Sequence, residues 1–110
     1  MGKTANDLLQ GTLELLILRT LLAESRHGWG IQHRLEQISN NKLTIQHGSL
    51  YPALYRLEKN GLIKSKWSQT ENNRRAKYYS LTAGGRKRLQ EETALWAEFS
   101  EVVNLVLTST

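Results

Sequence analysis

The sequence has no cysteine, a single proline and no long hydrophobic run in its 110 residues. The missing cysteine excludes a disulfide framework and thiolate chemistry. No repeat, low-complexity tract or linker interrupts the chain, so one domain is expected. The most leucine-rich stretch, Leu13 to Leu22, is broken by Glu14, Arg19 and Thr20. It falls short of the roughly 18 apolar residues a membrane span needs. No apolar segment of signal type opens the sequence, so a soluble cytoplasmic protein without a membrane partner is expected. Histidine is scarce as well. His27, His33 and His47 include no pair spaced four apart on one helix in metal-binding style. Glu91 and Glu92 are adjacent and diverge around a helix, Ser49 has no base partner other than His47, and there is no phosphate-binding glycine motif. Neither a metal, a cofactor nor an enzymatic activity is expected.

What the chain does have is segregated charge. The net charge is +5. Residues 56 to 88 hold ten of the fifteen Lys and Arg: Arg56, Lys59, Lys64, Lys66, Arg74, Arg75, Lys77, Arg86, Lys87 and Arg88. Only Glu58 and Glu71 oppose them, so this segment carries +8 and the remainder of the chain −3. A basic segment set apart in this way is the electrostatic footprint of a nucleic-acid face.

The residue pattern predicts an α+β, mostly α architecture: a winged helix-turn-helix over residues 1–81 and a C-terminal dimerisation helix over 82–110. Asn6 or Asp7 can cap a first helix running to about Ala23. Its leucines, Leu9, Leu13 and Leu16 among them, cover more than one face, which asks for burial on more than one side and suggests a second subunit. Gly28 to Ser39 reads as a second helix, after a turn at Glu24 to His27. Ser39-Asn-Asn-Lys42 is a turn signal, and Leu43-Thr-Ile45 reads as a very short strand. A third helix covers about Gly48 to Asn60, with Leu50, Leu54 and Leu57 as its apolar stripe, Pro52 in its first turn and Gly61 as its stop. Leu62 to Gln69 and Ala76 to Leu81 flank a polar turn and form a hairpin, the wing, over residues 62–81. Trp29 and Trp67 read as packing residues. Thr82 is the N-cap of a last helix to about Leu107. Its Trp96, Phe99, Val103 and Val106, with Leu89 one heptad earlier, form a seam of coiled-coil type that wants a partner helix.

A major groove about 12 Å wide admits one helix, whose N-terminal residues reach base edges. Gln46, His47, Ser49 and Tyr51 are hydrogen-bonding groups at that end of the third helix, and Gly48 and Ser49 let backbone N–H groups approach a phosphate. Tyr55 and Arg56 lie on its other faces. Asn73, Arg74, Arg75 and Lys77 sit at or near the wing tip, suited to phosphate contacts. Taken singly, either element is more simply a solvated polar surface; together with the charge segregation they favour double-stranded DNA as the partner. The alternative is a winged-helix module that binds protein and not DNA. Trp96 reads first as dimer core, and second as a platform for a flat aromatic ligand.

The chain also resembles the PadR family of bacterial transcriptional regulators, in particular its short members. The matching stretches are Gly11-Thr-Leu-Glu-Leu-Leu-Ile-Leu18, His27-Gly-Trp-Gly-Ile31, Gly48-Ser-Leu-Tyr-Pro-Ala-Leu-Tyr-Arg-Leu-Glu58, Asn72-Asn-Arg-Arg-Ala-Lys-Tyr-Tyr79 and Leu81-Thr-Ala-Gly-Gly-Arg86. The resemblance implies a winged-helix homodimer that binds a pseudo-palindromic operator, usually as a repressor relieved by a small ligand. It implies DNA contacts from His47, Gly48, Ser49, Tyr51, Pro52 and Tyr55, and from Asn73, Arg74, Arg75 and Lys77 of the wing. In some members of that family an aromatic residue on the last helix lines a drug-binding pore between subunits, and Trp96 holds the comparable place.

Overall fold

The computed structural model describes residues 12–110. The Asn6 or Asp7 cap and the interface leucine Leu9 lie outside the described residues. Helix α1 spans Leu13–Ala23, β1 Arg26–His27, α2 Gly28–Ile38, α3 His47–Lys59, β2 Ile63–Gln69, β3 Arg75–Leu81 and α4 Ala83–Leu107. The three strands form one antiparallel sheet in the order β1-β3-β2, and this is the expected winged-helix architecture.

The core lies where α1, α2 and α3 meet the base of the sheet. Ile17, Leu18, Ile31, Leu50, Leu54, Leu57 and Ile63 are fully buried there. The stripe on α3 is the expected one, widened by Ala53. On α2 only Ile31 and Leu35 enter the core, while Ile38, which continues the helical spacing, is left exposed at the helix end. Leu13 and Leu89, read from the sequence as interface residues, are buried in the chain's own core, because the start of α4 packs back onto α1. Leu16 is partly buried against the same cluster.

Three local expectations are overturned. Leu43 to Ile45 forms no strand. The edge of β3 not taken by β2 is occupied by Arg26–His27, which pair with Tyr79 and Tyr78, in the segment read as a plain turn. With no strand edge to join, Ile45 instead plugs the core, and its N–H donates to Glu36 Oε2 at 3.0 Å. The preceding turn is as expected: Asn40 and Asn41 hold φ of 53° and 62°, the left-handed region that asparagine tolerates. The third concerns Pro52, which lies beyond the first turn of α3 because the helix begins at His47. Its missing N–H leaves the Gly48 carbonyl without its usual i+4 donor. Both residues are exposed, so water can serve that carbonyl.

The C-terminus of α3 and the N-terminus of α4 are pinned together. Gly61 takes φ +74°, the conformation a helix-ending glycine accepts without a Cβ clash. Thr82 caps α4 as predicted: its Oγ1 accepts from the Gly85 N–H at 3.0 Å and donates to the Gly61 carbonyl at 2.6 Å. Past Leu89 the helix leaves the body. Leu95, Trp96, Phe99, Val102, Leu105 and Val106 are all about half exposed or more, and Val103 is half-buried.

Candidate nucleic-acid interface

Helix α3 buries Leu50, Ala53, Leu54 and Leu57. At 3.6 residues per turn the opposite, outward face then carries Gly48, Pro52, Tyr55 and Lys59, all exposed. His47 and Tyr51 flank this face toward the wing. Ser49 and Arg56 flank it on the other side, toward α1 and α4. Gly48 and Pro52 carry no long side chain, so the helix can be approached closely there, with Tyr55 and Lys59 alongside.

Gln46 sits at the N-cap, but its side chain makes no capping hydrogen bond. The Ser49 N–H is engaged, donating to the Gln46 carbonyl at 3.0 Å. Of the amide donors that the sequence assigned to Gly48 and Ser49, that of Ser49 is therefore already engaged. Arg56 is also committed elsewhere. Its Nε donates to Glu14 Oε2 of α1 at 3.0 Å, which draws the guanidinium away from the outward face.

Tyr51 leans toward the wing. Its ring meets His47 edge-on at a centroid distance of 5.5 Å and passes directly over Gly28, where a Cβ would stand 2.7 Å from the Tyr51 hydroxyl. Gly28 is held in turn by the turn into α2, where His27 Nδ1 accepts from the Gly30 N–H at 2.9 Å.

The wing projects beyond the core. Along β2 the alternation expected from the sequence holds only at the base: Ile63 is buried, Ser65 half-buried and Trp67 exposed. Trp67 is thus no packing residue; it lies under the Arg75 guanidinium, 5.3 Å from the ring centroid. Trp29 is exposed too, stacked on His33 at 5.2 Å. Thr70 builds the tip: its N–H bonds the Arg74 carbonyl at 2.8 Å, and its Oγ1 accepts from the amides of Asn72 and Arg74. Asn73 takes the left-handed position with φ 61°.

Between the wing and α3 lies a cleft of about 700 Å³. Tyr51, Trp67, Asn72, Arg74, Arg75, Lys77 and Tyr79 line it with His27, Gly28 and Trp29, and no carboxylate is among the lining residues. Lys77 is partly withdrawn, with its Nζ 3.4 Å from Glu58 Oε1 and 5.8 Å from the Tyr79 ring centroid. The Ser65 hydroxyl donates to the other Glu58 oxygen at 2.5 Å. That hydrogen bond, with help from Lys77, holds the Glu58 carboxyl below its ordinary pKa despite partial desolvation. Burial, then the Glu58 charge, push the Tyr79 phenol up, so it stays neutral. Sequence reasoning missed Glu58, Ser65 and Lys59 as parts of this surface. Helical periodicity could have found Lys59; Glu58 and Ser65 meet only through the angle at which the hairpin leaves α3.

A second groove, of about 820 Å³, runs between α1, the start of α3 and α4. Gln46, Gly48, Ser49, Pro52 and Arg56 border it with Trp96 and Phe99, whose rings are 6.4 Å apart and tilted. The predicted reading residues are therefore divided between two concavities, and Tyr51 is the one that shares the cleft with the wing cations.

Among the described residues no cluster of His, Asp or Glu could hold a metal ion, and no helix is long and apolar enough to cross a membrane. Residues 17–91 match the model of the transcriptional regulator PadR-like family. A protein of Lysinibacillus sphaericus known only as uncharacterized protein X is 31% identical over 102 residues, which are 93% of this chain and 94% of that one. The structure of a transcriptional regulator from Clostridium thermocellum superimposes with a TM-score of 0.81 at 30% identity, over 89% of this chain and 95% of that one. A PadR-like transcriptional regulator from Bacillus cereus gives a TM-score of 0.81 at 29% identity, over 94% and 99% of the two chains. Family match, fold and wing agree: the chain belongs to the PadR-like family of transcriptional regulators, which are not enzymes.

Proposed function

We propose that the protein binds double-stranded DNA in a sequence-dependent way and acts as a transcriptional repressor. The outward face of α3 enters the major groove, and the wing lies against the adjoining backbone. The observation that carries this reading is the cleft between them, lined by Arg74 and Arg75, directly beside Tyr51 and the exposed face of α3. A phosphate strand there would meet the guanidinium groups of Arg74 and Arg75 beside the Tyr51 hydroxyl. His47, Gly48, Tyr51, Pro52 and Tyr55 are assigned to the groove, and Asn73, Arg74 and Arg75 to the backbone. Gln46, Ser49 and Arg56 stand at the margin of this surface.

The working unit is a homodimer. The half of α4 beyond Leu89 presents Trp96, Phe99, Val103 and Val106 at the expected spacing, three of them exposed, and water is a poor neighbour for such a stripe. A two-fold axis would pair two α3 helices with a pseudo-palindrome whose half-sites lie about 34–36 Å apart. Trp96 and Phe99 also border the second groove, which is the place assigned to a flat aromatic effector.

Selection of bound duplexes from a random pool tests the reading. A recovered two-fold-symmetric motif supports it. No enrichment together with a blank gel shift at low salt would sink it, and would favour the protein-binding alternative. Quenching of tryptophan fluorescence by flat aromatic compounds should be lost in Trp96→Leu; quenching that survives removes Trp96 from the effector site.

A further inference from the structure

Two elements that a DNA duplex would meet separately are tied together in this chain by one carboxylate. Glu58 lies in the last turn of α3, Ser65 in β2 and Lys77 in β3. Ser65 donates to one oxygen of Glu58 at 2.5 Å, and Lys77 Nζ stands 3.4 Å from the other. The register explains how both strands reach the same group. Ser65 pairs with Tyr79 and Trp67 with Lys77, so all four side chains share the face of the hairpin that looks at α3. Lys77 also lies over the Tyr79 ring, and Tyr79 is buried. Its ammonium is thus held between a carboxylate and an aromatic face and does not reach out alone.

We infer that Glu58, Ser65 and Lys77 form a clasp that sets the angle between helix α3 and the wing, and that Lys77 acts as a positioning residue and not as a phosphate contact. This rests on the DNA-binding reading above and refines it by giving the wing's cations two different roles. The consequence is a division of labour in one hairpin. Arg74 at the tip is free to meet the backbone, while Lys77, in the third rung from the tip and opposite Trp67, determines where the tip lies relative to α3. A wing held at a fixed angle allows phosphate contacts and base contacts to form together only on a duplex of the right shape and register, which is how positioning contacts support specificity.

The salt dependence of binding separates the two roles. Each phosphate neutralised by a cation contributes about −0.9 to the slope of log K against log salt. With the clasp in place, Glu58→Gln releases Lys77 to the backbone. The slope should steepen by about 0.9, affinity for a scrambled duplex should rise, and the preference for the selected duplex should fall about fivefold. Adding Lys77→Met to Glu58→Gln should return the slope to the wild-type value without restoring the preference. Ser65→Ala, which keeps both charges, should lower the preference in the same direction. If Lys77 were instead a phosphate contact in the wild type, Glu58→Gln would leave the slope unchanged and the double variant would be shallower than wild type by about 0.9. Either of those results overturns the clasp.

Hydrogen exchange on the free protein supplies a readout that does not depend on DNA. Glu58→Gln should speed exchange of the amides of β2 and β3 near the tip while leaving α1 at its wild-type rate, which also verifies that the variant is folded. Unchanged exchange in the hairpin overturns the clasp whether or not DNA is bound. A wild-type protein that binds no duplex, with the exchange effect present, would refute the DNA reading and leave the clasp standing.

Discussion

Tyr51 and Arg56 stand five positions apart on one helix, and the structure gives them different tasks. The Tyr51 ring is steered by Gly28, whose missing side chain makes room for the phenol. Gly28→Ala should therefore displace Tyr51 and weaken binding to the selected duplex by about 1 kcal/mol, the scale of one base contact, with little change on a scrambled duplex. Fluorescence anisotropy with both duplexes checks this. Arg56, paired with Glu14, should behave as a surface ion pair. Arg56→Ala is expected to lower stability by at most about 1 kcal/mol in a denaturant melt and to leave the salt slope of DNA binding as in wild type. From residue types alone, Tyr51 and Arg56 look equally suited to DNA. The periodicity of α3 distinguishes its buried stripe from its outward face, but the partner of each flanking side chain depends on which helix lies beside it. Glu14 is 42 positions away in the chain, and no local pattern announces it. The same holds for Trp67: its place in an alternating strand suggested burial, whereas the strand had already left the core.

The elements themselves were the most legible part of the sequence. The helix stop at Gly61, the cap at Thr82 and the hairpin alternation are local signals, and each appears where its chemistry requires it. The strand β1 was invisible because two residues carry no periodicity. The strand expected at Leu43–Ile45 failed because alternation says nothing about whether a sheet edge is vacant. Thr82 joins two elements through its one hydroxyl, so Thr82→Ala should cost about 1 kcal/mol in thermal or chemical unfolding, while Thr82→Ser should recover most of it. The wing has its own pH dependence. Glu58 is held below the ordinary glutamate range, so its ionised form favours the folded clasp. That contribution is complete above the ordinary range and is lost as the pH falls through the lowered value. Hairpin amides should accordingly exchange faster in acid than pH-corrected intrinsic rates predict. In Glu58→Gln this acid-dependent excess should vanish.

At the scale of the whole molecule, two surfaces are left without a partner in the isolated chain. One is the apolar outer half of α4. The other is the basic surface formed by the wing and the exposed face of α3. They face different demands: the first needs dehydration, and the second a polyanion. The family model matches residues 17–91 of the 110. Charge segregation makes the second surface legible in the sequence, since residues 56 to 88 correspond to the end of α3, the wing and the start of α4. In the proposed function wing and helix bind DNA together, the wing by charge and the helix by shape and hydrogen bonding. The most direct measurement is a titration of the selected and scrambled duplexes across a range of salt, with wild type, Arg74→Ala and Tyr51→Ala. Wild type should prefer the selected duplex and weaken linearly in log salt. Arg74→Ala should lose affinity for both duplexes with a slope shallower by about 0.9, and Tyr51→Ala should lose mainly the preference. Equal affinity of the wild type for both duplexes, or binding indifferent to salt, would contradict the account.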